Sequence, residues 1–439
     1  MEHPMPSEQA RKLQQRAHQL IPGGAHTYAK GDDQYPENAP PLLVRGAGCH
    51  VWDVDGNEYI EYAMGLRSVT LGHGYQPVVE AAYRAMQGGT NFTRPSLLEA
   101  ECAERVLDVL GYDGMIKFAK NGSDATTAAV KLARAYTGRD MVAICGDHPF
   151  FSVDDWFIGA TGMPGGIPES IRALTVKFHY NDLASLASLF AAYPDRIACV
   201  MMEAETTEPP KDQFLQRVQE LCHQHGAVFI LDEIITGFRW DLGGAQRVYG
   251  IVPDLCTFGK AMANGFALAA LVGRRELMER GGIHHPHERV FLLSTTAGAE
   301  SHALAAAIAT IGTYEQHDVV GHLHRQGERL RRGIEQVIER LDLAPYFQVL
   351  GRPCNLIFAT RDQTGERSQA FRTLFMQETA ARGLLTPSFV TSFSHSDADI
   401  DYTVDAVGGA LAVYRQAIEN GVEHYLRGAS VKPVMRLRC

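Results

Sequence analysis

From about Leu98 onward the chain repeats one rhythm: a short apolar run, a turn, then a stretch of helical periodicity. The runs are "MIKFA", "MVAIC", "IACVMM", "AVFILD", "LCTFG" and "LAALVG". They have the length of strands, and their near-continuous apolar character fits strands covered on both faces. Such strands joined by helices form βαβ units and a mainly parallel sheet. A sheet of this kind binds ligands in the crevice beyond the carboxyl ends of its strands, so the residues closing each run come first.

One run ends abruptly. "AVFILDEIITGFRW" passes from core-like residues to two carboxylates, Asp232 and Glu233, then a glycine and Arg239. Acids at a strand end can simply meet water, or they can hold a ligand. Ahead of the sheet, an amphipathic helix over about Ser7 to Leu20 leads through a Pro/Gly-rich stretch into "LLVRGAGCHVWDVDGNEYIEY", where Asp55-Gly56 signals a hairpin turn. Near Gly321 a long charged helix begins, "HLHRQGERLRRGIEQVIERL", followed by strand candidates "FQVLG" and "NLIFAT" and two further helices. The expected organisation is an N-terminal helix and hairpin segment (1–65) that joins the small domain and the substrate-access region, a large domain (66–315) and a smaller α+β domain (316–439). "GATGMPGGIPES", Gly159 to Ser170, reads as a candidate lid.

Composition excludes several classes of function. The formal charge of −10, with no run of Lys or Arg, argues against a nucleic-acid surface. The opening "MEHPMPSEQARKLQQRAHQL" has no apolar signal region and no membrane-length span, so a cytoplasmic protein without a membrane partner is expected. Eight cysteines are scattered without a CxxC pair, which predicts mostly buried thiols, no disulfide framework and no metal site.

Three places carry chemistry when read together. "KNGSDATTAAVKLARAYTG" sets Asn121, Gly122 and Ser123 between a strand and a helix, where backbone N–H groups and a hydroxyl can hold a phosphate; the same letters also make a routine cap and turn. "TFGKAMANG" puts Lys260 just past a strand among small residues. A lysine there usually snorkels to the surface, but a desolvated one becomes an amine nucleophile for carbonyl carbon. Asp232 supplies a carboxylate that can keep a pyridine nitrogen protonated. Phosphate cradle, imine-forming amine and ring-nitrogen partner are together what pyridoxal 5'-phosphate requires.

At this point the chain resembles the class III aminotransferases of the pyridoxal-phosphate fold type I, nearest the glutamate-1-semialdehyde aminomutase group. "IPGGAHTYAKG", "LGHGYQPVVEA", "NGSDAT", "LDEIITGFR", "LGGAQRVYGIVPDLCTFGKAMANG" and "SHALAAA" follow that family in order and spacing over nearly the whole length. The resemblance implies a large domain with a seven-stranded, mainly parallel sheet and a smaller C-terminal domain. It also implies Lys260 as the Schiff-base lysine, Asp232 as the ring-nitrogen partner, Ile234 under the ring, and Gly122 with Ser123 in the phosphate loop. Glu203 matches the family's acid near the cofactor, though a capped strand end explains it about as well. Thr296 matches a threonine reaching the phosphate of the neighbouring subunit's cofactor, which implies a homodimer with shared sites. Glu233 is expected to brace the adjacent turn, and Arg239 to be structural.

The departures bear on the reaction. Where the family has a Tyr-His-Gly segment carrying a stacking ring, this chain has "GDHPFFSVDDW"; His148, Phe150 and Phe151 are the candidates, and position favours His148. The aminomutase "FEAGF" segment has no counterpart in "LLTPSFVTSFSHSDADID", which ranks amino-group retention below plain transamination. On the substrate side, Thr27 and Lys30 stand where the aminomutases present a hydroxyl and an arginine, and a lysine is a point charge rather than a fork. Arg67 is open to two readings, an anion clamp or a solvated rim arginine. With Glu205 it hints at a polar substrate. The resulting expectation is an aminotransferase moving an amino group between an amine and an aldehyde or ketone; the alternatives are an aminomutase and a pyridoxal-phosphate lyase acting on an amino alcohol.

Overall fold

The structure is a computed structural model describing residues 3–436. It resolves into two compact units: residues 3–75 together with Gly321–Arg436, and Gln76–Val320. Cys439 lies outside the described residues; the other seven cysteines are free and buried.

The Gln76–Val320 unit is built on a seven-stranded sheet in the order Met115–Ala119, Ala269–Gly273, Leu255–Phe258, Val228–Asp232, Ile197–Glu203, Met141–Cys145, Thr175–Phe178. All six expected runs are strands in it. Neighbours are parallel except Ala269–Gly273, which runs antiparallel to both of its own. The seventh strand, Thr175–Phe178, escaped the sequence reading because it is short, carries an exposed Lys177 and lies at the sheet edge. Every residue of the strands Met141–Cys145, Ile197–Glu203, Val228–Asp232 and Leu255–Phe258 is buried. That two-sided burial is why their sequences do not alternate.

The other unit joins both ends of the chain through a four-stranded sheet, Leu43–Ala47, His50–Asp53, Glu58–Glu61 and Leu384–Leu385. The first three form the expected meander, turning at Gly56 with φ +85°. Leu384–Leu385 adds in parallel to Glu58–Glu61, a pairing that two residues of sequence could not announce. The N-terminal helix runs Glu8–Leu20, and the Ser7 hydroxyl caps it by accepting from the Ala10 N–H at 3.1 Å. Phe347–Leu350 and Ile357–Thr360 pair antiparallel as a separate ribbon.

The charged helix Val319–Arg340 keeps an apolar stripe of Leu323, Leu330, Ile334, Val337 and Ile338, all buried in this unit's core. Gly327 lies on the same face because backbone from elsewhere presses against it: a Cβ there would fall 1.8 Å from the Pro353 carbonyl oxygen. Gly408, within the helix Asp397–Asn420, would place its Cβ at ordinary contact, 3.7 Å from Val337 Cγ2. Opposite outcomes are therefore expected. Gly327→Ala should lower stability by about 2–3 kcal/mol through overpacking, and Gly408→Ala should raise it by about 0.5–1 kcal/mol through helix propensity. Urea unfolding of the two variants against wild type checks both signs.

Candidate active site

Strand register sets the frame of the site. Glu203 pairs with Asp232, and Asp232 with Thr257, so three polar residues form one row across the carboxyl edge of the large sheet. Asp232 is 4% exposed; its Oδ1 accepts from the Ile234 N–H at 2.9 Å and the Thr257 hydroxyl at 3.0 Å. Burial pushes its pKa up to about 6, against the opposing pull of those two bonds and of the Lys260 charge.

Lys260 is half-buried and opens a short turn, Lys260–Ala263, immediately after Gly259. Its φ of +42° lies in the left-handed region, a conformation that costs a non-glycine residue on the order of 1–3 kcal/mol. The helix Ser301–Gln316 packs on this turn. Ile234 is wedged between two glycines. A Cβ on Gly122 would lie 2.5 Å from Ile234 Cδ1, and one on Gly259 would lie 3.8 Å from its Cγ2.

Asn121 caps the helix Gly122–Thr137, accepting from the Asp124 N–H at 3.0 Å. The first N–H groups of any helix lack partners within it, so Gly122 and Ser123 present donors at this end. The Ser123 hydroxyl oxygen accepts from the Val153 N–H at 3.0 Å, which leaves its hydrogen to donate. His148 is buried just past the strand Met141–Cys145; its Nδ1 accepts the Glu203 N–H at 3.0 Å. Burial lowers its pKa to about 4, so the ring is neutral with its hydrogen on Nε2, and that atom is buried without a hydrogen-bond partner among the described residues. Phe151 is packed edge-on against Phe157 and only 1% exposed, whereas Phe150 is largely exposed.

The remaining expectations fall in different places. Glu233 is fully buried and accepts from the N–H groups of Ala245 and Gln246 at 2.9 and 2.7 Å and from the Thr236 hydroxyl, bracing the turn ahead of the helix Ala245–Tyr249. Arg239 is fully buried beneath it in sequence. Glu205, read from sequence as a hint of a polar substrate, is buried and accepts from Trp240 Nε1 at 3.0 Å and from the Tyr249 hydroxyl. Thr296 is exposed, and its carbonyl accepts from Asn91 Nδ2 at 2.6 Å. Thr27, Lys30 and Arg67 belong to the other unit. There Lys30 is exposed, Thr27 precedes the turn Tyr28–Lys30, and Arg67 Nε donates to Asn355 Oδ1 at 2.7 Å.

Two partners were missed. Thr257 was visible as the one polar letter inside "LCTFG". The Val153 N–H bond to Ser123 had no sequence signal, because any residue supplies an N–H.

The sheet order and the acid-and-lysine edge define a pyridoxal-phosphate transferase of fold type I. The sequence profile of the Aminotransferase class-III family matches residues 33–148 and 158–390, and the chain belongs to that family. It is 33% identical over 430 residues to the glutamate-1-semialdehyde 2,1-aminomutase of Thermomicrobium roseum (93% of this chain, 99% of the relative). It is 31% identical over 416 residues to the 3-aminobutyryl-CoA aminotransferase of Cloacimonas acidaminovorans (92% and 97%). Among solved structures, the PLP internal aldimine form of the Sphingopyxis sp. MTA144 FumI protein superposes with a TM-score of 0.84 at 26% identity, covering 94% of this chain and 98% of that one. The protein is thus a pyridoxal-phosphate-dependent enzyme of the aminotransferase class. The segment 149–157, left unmatched by the family profile, lies within the stretch where the sequence departs from the Tyr-His-Gly pattern.

The chain's own residues fit that cofactor. Asp232 is a buried acid whose charged form needs a cation beside it, His148 Nε2–H is a buried donor in want of an acceptor, and Gly122 is held free of a side chain where Ile234 approaches.

Asp232 makes a pH prediction for the cofactor-free protein. An acid whose folded pKa is raised holds its proton longer when folded, so its contribution to stability is full below about 3.8 and is lost as the pH climbs through about 6. Asp232→Asn keeps an Oδ1 acceptor for Ile234 and Thr257 but cannot ionise. Wild-type stability should fall relative to the variant by on the order of 3 kcal/mol across that window; parallel urea unfolding curves for the two proteins would refute this.

Proposed function

We propose that the enzyme is an aminotransferase that moves an amino group from an amine donor to an aldehyde or ketone, with Lys260 and Asp232 as the groups that act on the cofactor. One observation carries the reading. A buried carboxylate at the end of Val228–Asp232 and a lysine beyond the next strand interact electrostatically, and the lysine backbone is held in a strained conformation.

When bound, the cofactor supplies an electron sink for the bonds at the carbon bearing the amino group. Lys260 Nζ would hold it covalently between turnovers. With its amine free, Nζ would be the base that takes the proton from the substrate carbon and the acid that returns it one position along. Asp232 Oδ would keep the ring nitrogen cationic. Ile234 and His148 would hold the ring between them, with the Glu203 N–H orienting the imidazole through Nδ1. Asn121, Gly122 and Ser123 bind the phosphate. Thr27, Lys30 and Arg67 form the substrate side, where Lys30 and Arg67 suit an anionic group.

The test begins with amines alone. A transaminase whose cofactor is bleached in the visible by a donor amine, and restored by a carbonyl acceptor, completes two half-reactions; an aminomutase or lyase needs no second partner. The aminomutase reading is kept because relatives at 33% identity carry that name, and a single amino aldehyde turned over without a donor would favour it. Lys260→Ala should lose turnover by on the order of 10³-fold, and borohydride reduction followed by peptide mapping should tag Lys260 in wild type only. A tag on another lysine would remove the assignment.

We further propose a cytoplasmic homodimer in which Thr296 of one chain reaches the phosphate bound by the other; support comes from its exposure and from the family resemblance. Thr296→Val then weakens cofactor binding roughly tenfold, the loss of one donor to a buried oxygen. Mixing Lys260→Ala chains with Thr296→Val chains decides the geometry. In the mixed dimer, the site with an intact lysine should regain wild-type affinity; persistence of the weak affinity there would mean that the threonine serves its own chain.

A further inference from the structure

In the unit that joins the chain ends, a thiol, an imidazole and a carboxylate converge: the ligating atoms of Cys49, His50 and Asp399 lie within 4.8 Å of one another. We infer that these three residues form a site for a zinc-class divalent cation, which would fasten the strand His50–Asp53 to the first turn of the helix Asp397–Asn420.

The polar groups of this cluster are loosely paired. His50 Nδ1 lies 2.8 Å from Glu58 Oε1, somewhat off the ideal hydrogen-bond line, and its Nε2 lies 3.2 Å from Asp399 Oδ1. With its hydrogen on Nε2 the ring can face Asp399 but leaves Nδ1 beside Glu58 without a hydrogen bond; with the hydrogen on Nδ1, Nε2 turns a lone pair toward Asp399 Oδ1, the arrangement that a metal ion between them would complete. The Cys49 thiol completes the cluster: it donates long hydrogen bonds of 3.7 Å to Asp399 Oδ2 and to the Ser394 carbonyl, and a metal ion would take the place of its hydrogen. Zinc bonds of about 2.3 Å to sulfur and about 2.0–2.1 Å to nitrogen put tetrahedral neighbours about 3.3–3.8 Å apart. Nε2 is 3.2 Å from Oδ1 and Sγ is 3.7 Å from Oδ2 of the same carboxylate, and one atom from each of the three side chains falls within 4.8 Å of the others, so small side-chain rotations would bring them to that spacing.

The surroundings match what a bound ion requires. A carboxylate on the distal nitrogen of a ligating histidine fixes its tautomer, and Glu58 stands there. Asp399 Oδ2 is held by the Ser396 N–H at 2.8 Å and hydroxyl at 2.6 Å, which orients the carboxylate and leaves Oδ1 toward the histidine. His395 gives a second, independent sign. It is fully buried and interacts electrostatically with both Asp399 and His50. Its Nδ1 accepts the Ser392 N–H at 2.9 Å, so Nε2 carries the hydrogen, and that donor has no partner among the described residues. It cannot ligate, but it can donate to a water completing the shell. Thiolate, carboxylate and neutral imidazole together balance a dication, and the mixed sulfur, nitrogen and oxygen set selects zinc over magnesium or calcium. On binding, the Cys49 S–H bond gives way to a sulfur–metal bond and the proton leaves to solvent, with no change of oxidation state. The sequence hid the site because Cys49 and Asp399 are 350 residues apart.

The test uses the full chain with its cofactor, stripped by a chelator and dialysed against zinc chloride. Expected are about one zinc per chain, a rise in unfolding temperature with zinc concentration, and a zinc-edge X-ray absorption spectrum with one sulfur neighbour at about 2.3 Å. Cys49→Ser and His50→Gln should each weaken zinc binding at least about tenfold. If Cys49→Ser fails to fold, the half-exposed His50→Gln carries the comparison. Zinc held only by nitrogen and oxygen, affinity unchanged in His50→Gln, or no zinc retained would each overturn the assignment.

Discussion

The active edge of the large sheet depends on keeping one carboxylate dry. Asp232 sits at the end of a fully buried strand, where it accepts from two neutral donors, the Ile234 N–H and the Thr257 hydroxyl, and feels the charge of Lys260. Two such bonds fall short of the cost of burying a charge, which is why its pKa rises. The deficit is useful for binding: a cation brought to this position gains what the protein alone leaves unmade. Glu233, the next residue, shows the contrasting arrangement. It too is fully buried, with its pKa pushed up to about 7, but two backbone N–H groups and a hydroxyl close around its oxygens. It serves the turn rather than a ligand. Adjacent letters thus divide into one acid at the open strand end, beside Lys260, and one enclosed by the groups of its own turn.

How far these roles were legible depends on whether the physics is local. Five of the six strands could be read because two-sided burial imposes continuous apolar runs; the sixth, Met115–Ala119, lies at a sheet edge with Lys117 exposed and was read from its remaining apolar letters. Lys260 stood out because a charged residue follows such a run among small ones. Glu233 as a brace followed from its place in a turn. What remained hidden depends on tertiary pairing. Thr175–Phe178 looks like no core strand since only one neighbour pairs with it, and Leu384–Leu385 has no periodicity to read at all. Glu205 misled for the same reason: its partners Trp240 and Tyr249 come from a later segment, and an acid in a polar-looking stretch gives no sign that its carboxylate is already engaged.

The departure from the family's stacking segment has a structural counterpart. Residues following His148 are sewn to the start of the helix Gly122–Thr137: the Phe151 carbonyl accepts from the Thr126 hydroxyl at 2.8 Å, the Val153 N–H reaches Ser123, and Trp156 Nε1 donates to the Thr127 hydroxyl at 2.8 Å. Phe151 and Trp156 are buried by these contacts, while Phe150 and Val153 stay exposed. A segment with an unfamiliar sequence therefore holds the helix end by backbone groups and by hydroxyls, which tolerate changes of side chain elsewhere in it. His148 keeps its place at the strand end because its anchor, the Glu203 N–H, is also backbone.

Backbone strain bears on the two readings of Arg67. Met64, Gly65, Leu66 and Arg67 have φ values of +43°, +57°, +57° and +73°, four successive left-handed residues of which only the glycine is at ease. At roughly 1–2 kcal/mol for each of the other three, such a turn persists only when its surroundings fix it. Here Met64 is buried in the core, the Val69 N–H donates to the Met64 carbonyl at 3.0 Å, and the Ser68 hydroxyl closes on the Gly65 carbonyl at 2.7 Å. A solvated rim arginine gains nothing from so costly a support, since its long side chain reaches water from any backbone. A guanidinium that must meet an anion in one orientation does gain, and the Asn355 contact at Nε restrains its plane further. Lys260 shows the same signature in the other unit, a long cationic side chain on a left-handed backbone. The same left-handed backbone also occurs at Gln213, Phe238 and Asn264, so at Arg67 the strain marks a backbone fixed by its surroundings and not by itself a role.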